Sequence, residues 1–337
     1  MKRTRDILAA LMAAAALSSC SKLTLDRPGE ADVIGYNVVT SNPVKSTSAY
    51  NYGTFMSSAY ALSSSQSWDS DAASATPEFG PEEVKWNGSY WSTETKRYWP
   101  SDKKLTFFSY APATLQSYDV SIGYGVSIGK EGVAANGWDA LGSQKDKTFL
   151  VADIAKDKTK NEAYAGYTGV PTHFRHKLCK LTFRVAASDL VEEGTEVYLL
   201  KATLNGFYSK ADYTKGGTSS ESWSGLSNQQ TDYVLFESSG ADGEKLTSDY
   251  KSKEWIMIPQ STSGITLTIN YKTKYGSTTK DDSATLSLAD DFRSGAWGMG
   301  QHITYSLKIG AGRIPILFDG SSDAWVTTGE GGIIEIK

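Results

Sequence analysis

The chain is poor in the residues that do covalent and metal chemistry. Among its 337 residues only two are cysteine and three histidine. His173 and His176 stand three apart in a segment that alternates like a strand, so they face opposite ways and do not chelate one ion together. His302 stands alone. Adjacent carboxylates (Glu82 with Glu83, Glu192 with Glu193, Asp281 with Asp282, Asp290 with Asp291) point apart in an extended chain and form no acid and base pair by adjacency. Two glycine clusters, Gly123, Gly125, Gly129 and Gly295, Gly298, Gly300, lie outside any strand-to-helix junction, so turns or bulges are expected rather than a phosphate cradle. Nothing implies a cofactor or a metal, and the expectation is a protein that is not an enzyme. Past residue 20 no run reaches eighteen apolar residues, the length of a membrane-spanning helix. A run of ten or more residues at helical period is missing as well. So is a basic excess: the net charge of −4 carries no electrostatic footprint for nucleic acid.

What is present begins at the first residues. Lys2, Arg3 and Arg5 precede an uncharged apolar run from Ile7 to Leu17, too short to span a bilayer and of the form of a secretory signal. Leu17, Ser18, Ser19 and Cys20 resemble the lipobox of bacterial lipoproteins. That resemblance implies that Cys20 carries diacylglycerol, with palmitate on the mature chain, and becomes its first residue; the alternative is an ordinary signal peptide with an incidental cysteine. Residues 1–19 are then a signal peptide and residues 20–32, with Pro28 and Gly29, a lipidated tether. Losing three cations and one anion (Lys2, Arg3, Arg5 and Asp6) moves the net charge from −4 to −6. Cys179 is left as the sole thiol, no internal disulfide forms, and stability must come from packing. With Leu178 and Leu181 beside it, Cys179 is expected to be an inert core residue.

Nine tryptophans, nineteen tyrosines and eleven phenylalanines bias the large apolar residues toward sheet. Ile265, Leu267, Ile269 and Tyr271 alternate with polar neighbours, and so do Ile303, Tyr305, Leu307 and Ile309; each set predicts a strand with one buried face. Leu200, Ala202 and Leu204 lead to Asn205 and Gly206, a predicted hairpin turn, and Asn87 with Gly88 predicts another between Val84, Trp86 and Tyr90. Phe174, His176 and Leu178 occupy even positions but Leu181, Phe183 and Val185 odd ones, which predicts a bulge or bend near Cys179 and Lys180. The Ser- and Gly-rich stretches 63–75 and 216–227 are expected to be surface loops. Residues 155–170, rich in Lys, Gly, Ala and Thr, are expected to link an N-terminal β-sandwich at 33–165 to a C-terminal one at 166–337. The fold class is all-β.

Four blocks in order resemble a family. Tyr98, Trp99 and Pro100 with Leu105, Phe107, Phe108, Tyr110, Ala111 and Pro112 resemble the "YWP…LxFFxYxP" block of fimbrillin-like proteins, the type V pilus subunits of the Bacteroides group. Phe174, His176, Leu178, Lys180, Leu181 and Phe183 are similar to its "FxHxLxKLxF" strand. Trp297, Gly298, Gly300 and Tyr305 match its late "WxxGxxYxY" element, and Ile316, Phe318 and Trp325 its closing "IxFxxxxxW" pattern. The resemblance implies two tandem transthyretin-like β-sandwich domains exported as a lipoprotein. It implies too that a surface protease removes the lipidated first strand, and that an extended segment of another subunit fills the groove. Ile34, Tyr36 and Val38 are the candidate removable strand. Lys45 is the candidate processing site, where the family has an arginine; Arg27, the nearest arginine, precedes the strand. Ile333, Ile334 and Ile336 are the candidate donor strand, or else the last strand of the second domain.

The leading expectation is a structural or adhesive subunit of a cell-surface pilus. It would be held at the outer membrane by lipid on Cys20, surface-exposed or in extracellular fimbriae, with other pilus subunits and a host or bacterial surface ligand as partners. The alternative is a surface glycan-binding lipoprotein, with Trp68 and Trp223 in loop-like stretches as its sugar platforms and Trp86, Trp255 and Trp325 in the core.

Overall fold

The computed structural model describes residues 33–40, 53–160, 169–217, 220–289, 295–310 and 317–324, with the backbone alone at 39–40 and 317–324. The first ten strands are β1 (Tyr36–Thr40), β2 (Phe55–Ser63), β3 (Thr76–Trp86), β4 (Trp91–Thr93), β5 (Lys103–Ala111), β6 (Gly125–Gly129), β7 (Gly132–Asp139), β8 (Leu150–Ala152), β9 (Ala155–Lys158) and β10 (Val170–His176). Hydrogen bonds run β2–β3–β4–β1–β10–β8–β5 and return from β5 to β2, closing a ring; β9 lies along β5. The Asn87 and Gly88 turn joins β3 to β4 as the sequence predicts, with Trp86 opposite Trp91.

β2 and β5 are covered on both faces, which explains why their apolar runs do not alternate. Phe55, Ala59, Leu105 and Phe107 look into the ring with Phe79, Val84 and Phe174, while Tyr60, Leu62, Phe108 and Tyr110 look outward into a second core. That second face is closed by the sheet β14–β13–β7–β6, where β13 is Tyr208–Gly216 and β14 Glu221–Gln229. The four-residue helix α1 (Trp68–Asp71) presses Trp68 into this core against Tyr60 and Phe108.

The remaining strands are β11 (Cys179–Ala187), β12 (Thr195–Asn205), β15 (Tyr233–Glu237), β16 (Glu244–Lys245), β17 (Lys251–Met257), β18 (Gln260–Ser261), β19 (Thr266–Tyr275), β20 (Thr278–Ser287), β21 (Ala296–Trp297), β22 (Gln301–Ile309) and β23 (Leu317–Ala324). Sheets β17–β11–β22–β23 and β15–β12–β19–β20 pack face to face as a sandwich. Phe183 stacks between Trp255 (5.1 Å) and Tyr305 (4.7 Å), and the alternating residues of β11, β12, β19 and β22 pack around them. Each half closes in the same way, by a parallel pairing of its first strand with a late one: β1 with β10, and β11 with β22.

Several expectations change. The phase switch near Cys179 is no bulge: the chain leaves β10 at His176, crosses at Lys177 and Leu178, and starts β11 in another sheet. A change of sheet swaps odd and even positions as a bulge does. Likewise β12 and β13 do not pair; Gly206, at φ +88°, carries the chain from one sheet to the next. The expected linker contains β9, and β10, beyond the expected boundary at 165/166, completes the first ring. The expected loop at 216–227 is largely β14.

An ion cluster clamps the crossover. Lys177 Nζ, fully buried, lies 2.7 and 2.9 Å from the two Glu221 carboxylate oxygens, Tyr213 donates its hydroxyl to the same carboxylate (2.8 Å), and Lys215 lies 3.4 Å away. Burial works against the Glu221 charge, but Lys177, Tyr213 and Lys215 outweigh it and hold the carboxyl down to about 2. Trp223 Nε1 donates to the Lys177 carbonyl at 2.6 Å.

Glu221→Gln strands the buried ammonium and is expected to cost about 3–5 kcal/mol in denaturant unfolding; a cost below about 0.5 kcal/mol contradicts the clamp. Because the folded pKa lies below the unfolded value of about 4.3, the carboxylate stabilises the fold above that value. The contribution is lost as pH falls toward about 2. The wild-type stability curve should therefore drop in that window more steeply than that of the glutamine variant.

Candidate functional site

In the first ring β1 pairs over its length with a strand from the far end of that half, β10. Its five residues run parallel to β10 in the register Tyr36 to Val170 through Thr40 to Phe174, and on the other side a single pairing joins Tyr36 to Trp91 of β4. Just before it, Val33 bridges Tyr98 and the Ile34 amide donates to the Arg97 carbonyl at 2.8 Å. Arg97 is itself held by both Glu82 oxygens and lies over the Phe79 ring. Adjacent Glu83 turns instead to Thr54 and Lys85, as neighbours in a strand should.

The inward side chains of β1, with Ile34 just before it, close the ring core. Ile34 is 1% exposed and Tyr36 4%, and Val38 packs at the rim. The Tyr36 ring meets Phe55 edge-on at 5.4 Å and Phe107 at 6.0 Å, and Phe55 meets Phe174 at 5.2 Å. Its hydroxyl donates to Ser57 Oγ at 3.1 Å, and burial pushes its pKa up. Where the chain enters β10, Gly169 (φ +110°) lies against the β1 backbone: a Cβ there would stand 2.8 Å from the Gly35 carbonyl oxygen. Only glycine allows both that conformation and that approach.

The structure thus brings Ile34, Tyr36 and Val38 into one core, Tyr36 and Val38 from β1 and Ile34 from the chain just before it. Cys20, Lys45, Ile333, Ile334 and Ile336 lie outside the described residues, as do Ile316 and Trp325. Sequence patterning found the alternation of β1 but not Ser57 and Ser109 beneath it; the signal was serine among the apolar residues of β2 and β5.

The sugar-platform tryptophans are corrected. Trp68 is fully buried and donates Nε1 to the Gly217 carbonyl at 3.2 Å, and Trp223 packs on Trp138, Phe149 and Tyr213. Polar neighbours made both look like loop residues. Trp86, expected in the core, is instead 54% exposed. The residues Gly125–Gly129 spell Gly-Val-Ser-Ile-Gly, the spacing of a nucleophile elbow, but they form β6 with Ser127 in mid-strand and no following helix. Cys179 is buried with its thiol donating to the Met257 carbonyl, and burial raises its pKa. Burial beside Lys177 pushes His176 down to about 3, so it stays neutral. Among the described residues no three of His, Cys, Asp and Glu gather as a metal site.

Two substitutions test this geometry. Gly169→Ala is expected to cost about 1–3 kcal/mol and to speed amide hydrogen exchange in β1 and β10 ahead of the second sandwich; unchanged exchange there contradicts the close approach. Trp68→Ala should cost about 3–5 kcal/mol as a core truncation, whereas a surface platform would change unfolding by no more than about 0.5 kcal/mol.

The fimbrillin-like family profile matches residues 53–325. A fimbrium subunit, Fim1C, of Phocaeicola vulgatus is 30% identical over 110 residues, which are 30% of this chain and 29% of that protein. The crystal structure of a fimbrial protein from Bacteroides vulgatus superposes with a TM-score of 0.62 at 20% identity, over 88% of this chain and all of the other. With the profile spanning most of the described strands, the chain belongs to the fimbrillin-like family.

Proposed function

We propose that this protein is a subunit of a cell-surface fimbrium, delivered as a lipid-anchored precursor through Cys20 and assembled by strand exchange after removal of β1. The observation that carries the reading is the place of β1. Its backbone pairs with β10 and, at one position, β4, never with β2, the strand that follows it in the chain. Cutting within 41–52 leaves it held by non-covalent contacts alone. Its departure exposes the β10 edge together with Phe55, Phe107 and Phe174, a combination of unpaired amides and bare aromatic core that a new extended strand repairs. Lys45 lies within that stretch and is the proposed cut site.

Ile333, Ile334 and Ile336 are the proposed donor segment, and neighbouring subunits the proposed partners. The name of the Phocaeicola vulgatus relative, a fimbrium subunit, supports the same class of partner. A role in adhesion to a host or bacterial surface is part of this reading. Glycan binding through Trp68 or Trp223 is not, because Trp68 is fully buried and Trp223, half-buried, has its ring packed on Trp138, Phe149 and Tyr213.

Digesting the purified full chain with a lysine-specific protease should give a species beginning at Ser46 that forms SDS-resistant ladders, and Lys45→Ala should remain monomeric. A stable monomer after complete cutting behind Lys45 contradicts the reading. On the cell surface, a protein that keeps acylated Cys20 in mature fimbriae contradicts removal of the strand.

A further inference from the structure

The groove beneath β1 is not uniformly apolar. At its centre the Tyr36 hydroxyl meets a buried polar floor. Ser57 Oγ accepts from Tyr36 (3.1 Å) and from Ser109 Oγ (2.9 Å), and donates to the Phe108 carbonyl (3.1 Å). A hydroxyl has one hydrogen and two acceptor sites, so with Tyr36 in place Ser57 is fully satisfied, and without it one acceptor site faces the core. Ser57 and Ser109 are 0% and 3% exposed, so no solvent replaces the missing donor at the packed interface. The slot above them is shaped for a ring by Phe55 and Phe107. On either side the pockets hold β-branched aliphatics, Ile34 at −2 and Val38 at +2.

We infer that the vacated groove selects an incoming strand with the pattern aliphatic-x-Tyr-x-aliphatic, and that Ser57 and Ser109 are the residues that read the tyrosine hydroxyl. The inference rests on the strand-exchange reading and sharpens it by naming the chemistry of the partner. It also carries a consequence for self-association. The segment Ile333, Ile334, Glu335, Ile336 offers two isoleucines on one face and no aromatic hydroxyl. In this groove it would leave the ring slot part-filled and Ser57 short of a donor. The preferred occupant is therefore a strand that carries this tyrosine, and the 333–336 segment of a second copy enters the groove as the weaker substitute.

The test uses the full chain with the recognition sequence of a site-specific protease placed within 41–52, cut under native conditions. Synthetic peptides then compete with a dye-labelled peptide of residues 32–40. The unlabelled 32–40 peptide should bind most tightly, its Tyr36→Phe form about 3- to 10-fold more weakly, the range set by one neutral hydrogen bond. The Tyr36→Ile form and a peptide of residues 329–337 should each be weaker by at least about tenfold. In a Ser57→Ala, Ser109→Ala chain, the tyrosine peptide should lose its advantage and bind no more tightly than the phenylalanine one. A merely structural role for the serines would weaken both peptides alike and overturn the inference. Equal binding of the two peptides to the wild-type groove, or 329–337 binding as tightly as 32–40, would overturn it while leaving strand exchange intact. Failure of every peptide to enter the cut chain removes both.

Discussion

A strand edge and a bare core cannot stay exposed together, and in the first half of this molecule both lie under β1. β10 has a partner on one side in β8; on the other its amides and carbonyls are met by β1, which also seals the aromatic floor made by Phe55, Phe107 and Phe174. The ring closes only while some strand occupies that position. The parallel direction matters, because a parallel neighbour is not supplied by a tight turn. It comes from elsewhere in the chain, or from another chain.

The rest of the fold holds that position in place. β5 and β2, buried on both faces, tie the ring to the second core, and Lys177 with Glu221 pins the chain where it leaves β10 for the second sandwich. β10 is thus fixed from its far end, while Gly169 lets its near end lie against the inserted backbone. The second sandwich repeats the closure, with β11 parallel to β22, but there β23 lies along the other side of β22.

What was legible in the sequence followed one-sided burial. β19 and β22 alternate because one face of each meets the sandwich core: Ile265, Leu267, Ile269, Ile303, Tyr305, Leu307 and Ile309 are buried, and Tyr271, toward the end of its strand, is half-buried. β1 was legible for the same reason. β2 and β5 were not, since burial on two faces erases the alternation. The crossover at Lys177 and Leu178 gives the pattern expected of a bulge or bend near Cys179 and Lys180, because a change of sheet and a bulge shift the phase identically. Trp68 and Trp223 were misplaced because serine and glycine around them report local polarity, whereas a tertiary partner decides their burial. The hydroxyl network under Tyr36 left only one mark, serines among the apolar residues of β2 and β5.

The replaceability of β1 is tested most directly by locking it. Asn37 and Pro171 are register partners on β1 and β10, at positions that alternate with the buried ones. Asn37→Cys with Pro171→Cys should form a disulfide across the parallel pair in the otherwise native full chain. The oxidised protein should fail to enter polymers after cutting behind Lys45, and reduction should restore assembly to the wild-type rate. Polymerisation of the oxidised protein at the same rate as the reduced one would show that β1 stays in place and that subunits join by another surface.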